Sequence, residues 1–259
     1  MNTTSEREKL AAVLTPLGLG DWRYHPSVGS TNDLAREWAR AGAPDWALVV
    51  ADWQTAGRGR GNRTWETKQG GLAFSIVLRP SPQETAHLTR FTALAGLGLV
   101  HALAGLGLRA QVKWPNDVLL LGKKVAGVLV ETEWCEETLT DLVVGMGVNL
   151  SKASEPDPVI LRYPATSVER AFEQPLDRWA FLAQILRAMM DLRSLLPTES
   201  FIREWNRHLA FRNEWVHFHP PSGKVVKVRL LGVNQQGGVI VQMPDESQRD
   251  FIAGEIVME

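Results

Sequence analysis

Apolar residues along the chain fall into two kinds of stretch, and each kind predicts a different element. Short continuous runs rich in β-branched residues are typical of buried strands, whereas longer stretches with helical spacing predict helices. The runs predict strands at 46–52, 72–78, 110–113, 118–121, 125–132 and 139–148. Helical spacing predicts helices at 5–17, 30–41, 84–105, 177–196 and 199–209. Grouped strands with helices between the groups predict an α+β fold, a mixed sheet flanked by helices.

The pattern changes after about residue 211. Short predicted strands at 214–219, 225–233, 238–243 and 249–258 alternate with turn clusters rich in proline, glycine and asparagine. Such short strands with tight turns are typical of a small antiparallel barrel. We therefore predict two domains, residues 1–210 and residues 211–259.

One apolar stretch, 91–108, invites a membrane interpretation because only Thr92 and His101 interrupt it. A spanning helix needs about 20 apolar residues. Four glycines and the flanking Arg90 and Arg109 favour a helix buried against a sheet instead. The N-terminus lacks the apolar core of a signal peptide. We expect no membrane association.

Composition excludes several classes of protein. The chain has 259 residues, of which 44% are hydrophobic and 22% charged, and its formal net charge is −1. This near-neutral balance gives no overall attraction to nucleic acid. The single cysteine, Cys135, excludes an internal disulfide and a Cys-x-x-Cys metal or redox pair. These properties fit a cytoplasmic protein.

A basic, glycine-rich segment follows the first predicted strand. Residues 57–63 contain three arginines and three glycines. Glycine lets the backbone approach a ligand closely, and guanidinium groups grip carboxylate or phosphate bidentately. The spacing matches neither a Walker loop nor a dinucleotide-binding loop. The segment therefore predicts a mobile, unpaired loop that wraps a small anionic ligand. A solvated basic loop and an Arg/Gly-rich RNA-binding patch are the alternatives.

Five sequence blocks, in this order and at this spacing, resemble the biotin protein ligases. They are Ser27-Val-Gly-Ser-Thr-Asn-Asp33, Gln54-Thr-Ala-Gly-Arg-Gly-Arg-Gly-Asn-Arg-Thr-Trp65, Lys113-Trp-Pro-Asn-Asp117, Lys123-Lys-Val-Ala-Gly-Val-Leu-Val-Glu131 and Gly145-Met-Gly-Val-Asn-Leu150. The resemblance extends from about residue 24 to the C-terminus. One departure is Glu66-Thr67-Lys68, where many members have Ser-Pro after the tryptophan.

The resemblance implies a two-step ligase. ATP and biotin, with Mg²⁺, give biotinyl-5′-AMP, and a lysine of a biotin carboxyl carrier protein then receives the biotinyl group. It also implies a catalytic domain like that of class II aminoacyl-tRNA synthetases, an SH3-like C-terminal domain and a possible homodimer. About two dozen residues precede the first block, so we expect the short class without a DNA-binding domain.

The resemblance also implies roles for individual residues. The implied catalytic residues are Lys124, Arg60 and Lys113. The implied biotin-binding residues are Ser30, Thr31, Asn32, Gln54, Gly57, Arg58, Arg60, Lys124, Gly127, Gly145 and Gly147. The implied ATP-binding residues are Arg58, Arg63, Trp65, Asn116, Asp117 and Asn149. Asp117 is in addition the predicted Mg²⁺ ligand, through water, because Mg²⁺ commonly uses one or two carboxylates plus substrate phosphates.

Each of these roles has a simpler alternative. Lys123 competes with Lys124, and Lys124 could be a solvated hairpin residue. Trp65 could be a core aromatic, the Asn-Asp pair ending at Asp117 a turn cap, and Ser30 or Thr31 a helix N-cap. For the whole chain, a lipoate ligase or octanoyltransferase is the nearest alternative, although the Arg-Gly-Gly-Gly signature of those families is absent. A biotin-sensing repressor is a further alternative.

Overall fold

Two β-sheets organise the part of the chain that the computed structural model describes, residues 3–61, 63–157 and 163–257. The helices are α1 (Thr3–Leu14), α2 (Thr31–Arg40), α3 (Pro82–Thr85), α4 (Arg90–Gly105), α5 (Val168–Phe172), α6 (Arg178–Arg193) and α7 (Glu199–Arg207). The strands of the first sheet are β1 (Trp22–His25), β2 (Ala47–Ala51), β3 (Leu72–Leu78), β4 (Ala110–Lys113), β5 (Asp117–Leu120), β6 (Lys123–Cys135) and β7 (Thr138–Val148). The strands of the second sheet are β8 (Trp215–His219), β9 (Val226–Val233), β10 (Val239–Gln242), β11 (Gln248–Phe251) and β12 (Glu255–Val257).

The first sheet has the order β1-β2-β3-β7-β6-β5-β4 among the described residues. Strands β1 and β2 are parallel, and the other neighbours are antiparallel, so the predicted mixed sheet is confirmed. Helix α2 packs on β3 and β7, and α4 packs with α6. Every residue of β2 and β3 is buried. Helices cover both faces there, which explains why these strands are continuously apolar rather than alternating.

The predicted helix at 84–105 is wrong in its first part. Ser81 and Glu84 form a reciprocal capping box at the N-terminus of the short helix α3, which ends at Thr85. Helix α4 begins only at Arg90. The body of α4 is buried in the main core, as expected for a helix against a sheet. In the described part of the chain, no helix is long and apolar enough to cross a membrane.

The second sheet is antiparallel, with the order β11-β10-β9-β8-β12. The described strands do not close into a full barrel, so the SH3-like region is a five-stranded open sheet here. The single strand predicted at 249–258 is wrong, because the chain turns at Gly254 with φ 144° and changes partner from β10 to β8. A side chain at Gly254 would collide with the ring of Phe218, 2.4 Å away. Met258, the predicted end of that strand, lies outside the described residues.

Two elements escaped prediction because their patterns are weak. Strand β1 is short and only partly buried, with polar Arg23 and His25 in its four residues. Helix α5 has five residues and buries only Val168. The predicted helix at 5–17 ends at Leu14 and continues as a 3-10 turn to Leu17.

The two sheets share one hydrophobic core. Trp114, which follows β4, donates its indole N–H to the carbonyl of Gly237 at 3.1 Å. Buried Arg90 donates to the carbonyl of Gln235 at 2.6 Å. These contacts fix the turn between β9 and β10 against the start of α4 and the end of β4.

Candidate active site

A cleft opens between β6, β7, the start of α2 and the glycine-rich loop. It holds about 650 Å³ of space free of atoms, part of it open to solvent. Most of the predicted site residues line it: Ser30, Thr31, Asn32, Gln54, Arg58, Arg60, Arg63, Trp65, Asn116, Asp117, Lys124, Gly127, Gly145 and Gly147. Residues distant in sequence thus meet in one place, as the block pattern predicts.

Three predicted residues lie next to the cleft rather than in its lining. Gly57 is buried, and a side chain there would meet the carbonyl oxygen of Trp65 at 2.4 Å. Lys113 is buried behind Asp117. Asn149 is buried and donates its amide to the carbonyl of Thr166 at 3.2 Å. Their ligand roles stay predictions.

The floor of the cleft is formed by glycine backbone on two strands, and the indole of Trp65 lies against it. Gly127 on β6 and Gly147 on β7 are register partners. A methyl group at Gly147 would stand 2.1 Å from Cε2 of Trp65, and one at Gly127 would stand 3.3 Å from its Cζ3. Because no side chain fills these positions, the half-buried Trp65 can lie flat on the sheet. This arrangement disagrees with the alternative that Trp65 is an ordinary core aromatic.

Gly145 has the matching role for helix α2. A methyl group there would lie 1.9 Å from Oδ1 of Asn32, so the absence of a side chain lets the Asn32 amide reach the sheet. Ser75 on β3 lies beneath, with its Oγ 2.6 Å from Asn32 Oδ1 and 2.8 Å from Thr31 Oγ1. This end of the cleft is therefore built from neutral hydrogen-bonding groups.

Ser30 occupies the N-cap position of α2, as the N-cap alternative predicts, but its side chain makes no capping hydrogen bond. Gln54 takes that role from the neighbouring loop, since its Oε1 accepts from the backbone N–H of Thr31 at 2.8 Å and from its hydroxyl at 3.0 Å. The Gln54 amide in turn donates to Thr67 at 3.0 Å. The side chain of Ser30 remains available to the cleft.

The glycine-rich loop is paired with itself, which contradicts the predicted unpaired segment. The backbone N–H of Gly59 donates to Arg63 at 2.8 Å, and that of Trp65 donates to Gly57 at 2.9 Å. Gly61 allows the turn with φ 63°. The loop is thus a small hairpin that holds its three arginines above the cleft.

Two of the three loop arginines already have carboxylate partners in the protein. Arg58 forms ion pairs with Asp33 and Glu131, both at 2.7 Å. Arg63 pairs with Glu255 of the C-terminal sheet at 2.8 Å. Arg60 forms no ion pair among the described residues. Burial, together with nearby Arg63, lowers the pKa of Arg60, which means that its charged form is disfavoured where it stands. A bound anion would stabilise that charged form.

A carboxylate between two ammonium groups forms the other side of the cleft. Oδ1 of Asp117 lies 2.6 Å from Nζ of Lys124, and its Oδ2 lies 3.6 Å from Nζ of Lys113. Burial lowers the pKa of Lys113, and Asp117 opposes that shift. Lys123 is exposed, and Lys124 lies above Trp65 with Nζ 5.8 Å from the ring centroid. The geometry favours Lys124 over Lys123 as the site lysine.

Asn116 anchors the turn before β5. Its amide donates to the carbonyl of Val128 at 2.9 Å, and its own carbonyl accepts from the N–H of Val128 at 2.9 Å. This contact joins the Lys113–Asp117 block to β6, and it agrees with both the turn-cap interpretation and a position on the cleft wall.

Sequence reasoning assigned no site role to three polar residues that orient the site: Ser75, Thr67 and Glu131. Ser75 is a hydroxyl in an otherwise apolar strand, and this interruption is a signal in the sequence. Glu131 accepts from Asn32 at 2.8 Å as well as pairing with Arg58. Its role depends on how α2 crosses β6, which no local pattern reveals.

Comparisons with known proteins identify relatives of this chain. A model of the biotin/lipoate A/B protein ligase family matches residues 24–149. The biotin–[acetyl-CoA-carboxylase] ligase of Mycobacterium tuberculosis is 34% identical, over 94% of this chain and 92% of that protein. That of Paracoccus denitrificans is 32% identical, over 83% and 91%. The bifunctional ligase/repressor BirA of Bacillus subtilis is 38% identical over 63% of this chain. The match covers 50% of BirA, so this chain spans about half the length of that relative.

The fold agrees as well. The biotin protein ligase of Aquifex aeolicus in complex with biotin and ATP superposes with a TM-score of 0.77 and 27% identity, over 91% of this chain and 97% of that one. The two near-complete matches above 30% identity decide the assignment. The chain belongs to the biotin protein ligase family.

Proposed function

We propose that this chain is a biotin protein ligase, which activates biotin with ATP and transfers the biotinyl group to a lysine of a biotin carboxyl carrier domain. The observation that carries the proposal is the cleft itself. It combines a neutral hydrogen-bonding end, a glycine floor and a basic end bearing Arg60 and Lys124. Biotin has the same division, with an uncharged ureido ring at one end and a carboxylate at the other.

The ureido ring would bind at the neutral end. The uncharged ureido ring needs neutral hydrogen-bonding groups in a mainly apolar pocket. Ser30, Asn32 and Gln54 offer such groups, and Ser75 fixes the orientation of Asn32 from below. Met146 and Leu129 supply apolar lining nearby.

The carboxylate and the nucleotide phosphates would meet at the basic end. In the first step a carboxylate oxygen attacks the α-phosphorus of ATP, and the bond to pyrophosphate breaks. Lys124 can place its ammonium between the two anions and stabilise charge that develops during displacement. Asp117 holds that ammonium in place at 2.6 Å. Arg60 lines the same cleft from the loop and adds a second positive charge there.

Magnesium fits the nucleotide better than it fits the protein. Both oxygens of Asp117 face ammonium groups, which compete with a cation for the same carboxylate. The prediction that Asp117 holds Mg²⁺ through water stays a prediction. We assign the ion to ATP as part of the substrate, and no proposed step depends on an ion held by the protein.

In the second step the amine of a carrier lysine attacks the acyl carbon, loses a proton and releases AMP. The names of the Paracoccus and Mycobacterium relatives indicate a carboxylase as the source of the carrier domain. The proposed division places the chemistry in residues 1–210, with residues 211–259 as an SH3-like domain that contributes Glu255. We further propose a cytoplasmic location, which suits the exposed free thiol of Cys135.

The decisive test is mass spectrometry of the protein after incubation with ATP, Mg²⁺ and either biotin or lipoate. We expect bound biotinyl-AMP with biotin and no acyl-nucleotide with lipoate. Lipoyl-AMP formation with no biotinyl-AMP would replace the proposal by lipoate ligation. Absence of both adducts, together with no heat of biotin binding in calorimetry, would refute it.

A further inference from the structure

Away from the cleft, three side chains that can bind a metal ion meet between two helices. His101 projects from α4, while Glu204 on α7 and His208 directly after that helix lie one turn apart. Nε2 of His101 is 2.8 Å from Oε1 of Glu204, and Nε2 of His208 is 3.1 Å from the same oxygen. One candidate ligand atom from each residue lies within 4.8 Å of the others. None of the three residues lines the cleft.

This spacing suits a transition-metal ion. Zinc binds imidazole nitrogen and carboxylate oxygen at about 2.0–2.2 Å in tetrahedral geometry, so its ligand atoms stand about 3.4 Å apart. For zinc at about 2.1 Å from each ligand, one nitrogen–oxygen contact would have to open by about 0.6 Å and the other by about 0.3 Å. Ligands four residues apart in sequence, as Glu204 and His208 are, recur in zinc sites.

The surroundings also suit an ion. Arg207 donates to the other carboxylate oxygen, Oε2 of Glu204, at 2.7 Å. That bond leaves Oε1 directed at the histidines and orients it, as outer-shell partners do in metal sites. The side chains of His101 and His208 are 38% and 27% exposed, so an ion can enter and water can complete its coordination.

We propose that His101, Glu204 and His208 form a binding site for a divalent transition-metal ion of the Zn²⁺ type. Two imidazoles select such ions over Mg²⁺ and Ca²⁺, which prefer oxygen ligands throughout.

The position of the site indicates a stabilising role. The carbonyl of His208 accepts from the N–H of Val112 on β4 at 2.8 Å, and the N–H of Ala210 donates back to Val112 at 2.9 Å. An ion would therefore tie α4 to the end of α7 and to β4, just before the Lys113–Asp117 block. It would strengthen the junction between the two sheets without taking part in the chemistry.

The experiment measures metal bound per chain after dialysis against Zn²⁺ and then against metal-free buffer, with Co²⁺ absorption as the report on coordination. We expect one tightly bound equivalent and a d–d spectrum of low-symmetry Co²⁺ for the parent. His208→Ala and Glu204→Gln should each weaken binding at least tenfold. His87→Ala, which removes a histidine elsewhere, should bind as the parent does. At a free Zn²⁺ concentration 100 times the dissociation constant, the parent's Tm should rise by about 5 °C or more.

Equal metal binding by the parent and both ligand variants would overturn the proposal and leave adventitious surface binding. No bound equivalent in the parent would overturn it as well and leave a hydrogen-bonded triad. If His208→Ala fails to fold by circular dichroism, His101→Ala tests the same site without touching α7 or its bonds to β4. None of these measurements depends on ligase activity, so failure of the metal-site proposal would leave the proposed ligase function unaffected.

Discussion

Arg63 and Glu255 join the glycine-rich loop to the last strand of the C-terminal sheet. Nη1 of Arg63 lies 2.8 Å from Oε1 of Glu255, and Nη2 lies 3.2 Å from Oε2. Arg60 adds a bond of 3.4 Å to the carbonyl of Gly254. The loop is therefore held over the cleft by a bidentate ion pair from a part of the chain 192 residues away.

Glu255→Gln should free the loop while leaving the fold almost unchanged. The side chains of Arg63 and Glu255 are 50% and 33% exposed, so the pair contributes roughly 0.2–1 kcal/mol to folding. Its loss should nevertheless speed trypsin cleavage after the loop arginines, measured by timed digestion. Glu199→Gln, which breaks an exposed helix pair with Arg203, is the control. Equal cleavage of Glu255→Gln and the parent would show that the pair does not hold the loop.

Lys124→Ala should slow adenylate formation by a factor of about 100 or more, because it removes the positive charge that would stabilise the reacting anions. Lys123→Ala is the matched control, since its side chain is exposed and one position away. Pyrophosphate release with biotin and ATP is the measurement. A Lys124→Ala variant that retains normal release would remove this lysine from the mechanism.

Gly147→Ala should weaken nucleotide binding about tenfold or more, equivalent to about 1.4 kcal/mol. The new methyl group would stand 2.1 Å from Cε2 of Trp65 and force the indole off the floor. Calorimetry with ATP is the measurement. Gly105→Ala, where a methyl group meets nothing within 4 Å, should leave the affinity unchanged. An ATP affinity in Gly147→Ala equal to that of the parent would contradict the stated position of Trp65.

Ser75→Ala should reduce biotin affinity and cost about 1–3 kcal/mol of unfolding free energy, because it leaves buried polar atoms without a partner. Ser75 is fully buried and contacts both Thr31 and Asn32. Urea unfolding and biotin titration measure the two effects. The control is Ser194→Ala at the exposed end of α6. If stability falls while biotin affinity does not, Ser75 is structural only.

Acid should weaken the structure through Glu84. Burial raises the pKa of this carboxyl, but bonds from Arg193 and from the backbone of Ser81 lower it more, so it lies below its ordinary 4.5. Because the pKa of Glu84 is lower in the folded state, its carboxylate contributes its full share to the free energy of unfolding above about pH 4.5. That contribution is lost as the pH falls through the folded-state pKa.

Glu84→Gln should therefore lose about 1–3 kcal/mol at pH 7, because Arg193 loses charge-assisted bonds, and the gap from the parent should narrow at lower pH. Urea unfolding at a series of pH values measures this. Glu8→Gln, which alters an exposed side chain, serves for comparison. A pH-independent gap would contradict the ion-pair origin.

Much of the fold follows from local patterns, and the failures have local causes. Strands β2 and β3 are predictable because both of their faces are buried. Strand β1 is not, because its edge position leaves it partly exposed. The split between β11 and β12 depends on the positive φ of Gly254, and an isolated glycine in a strand pattern equally suggests a bulge within one strand.

The site divides in the same way. Lys124 and Asp117 are predictable together because β5 and β6 are neighbours in both sequence and sheet. The partners of Arg58 are not, since Asp33 and Glu131 reach it only through the packing of α2 against the sheet. Resemblance identified the arginines but could not reveal that the protein neutralises two of them itself.

The indole of Trp65 lies against the backbone of Gly127 and Gly147 on two adjacent strands. A side chain at Gly147 would overlap that ring. This position must therefore stay a glycine for as long as the indole forms a wall of the cleft, so the shape of the site depends on main chain that carries no side chain.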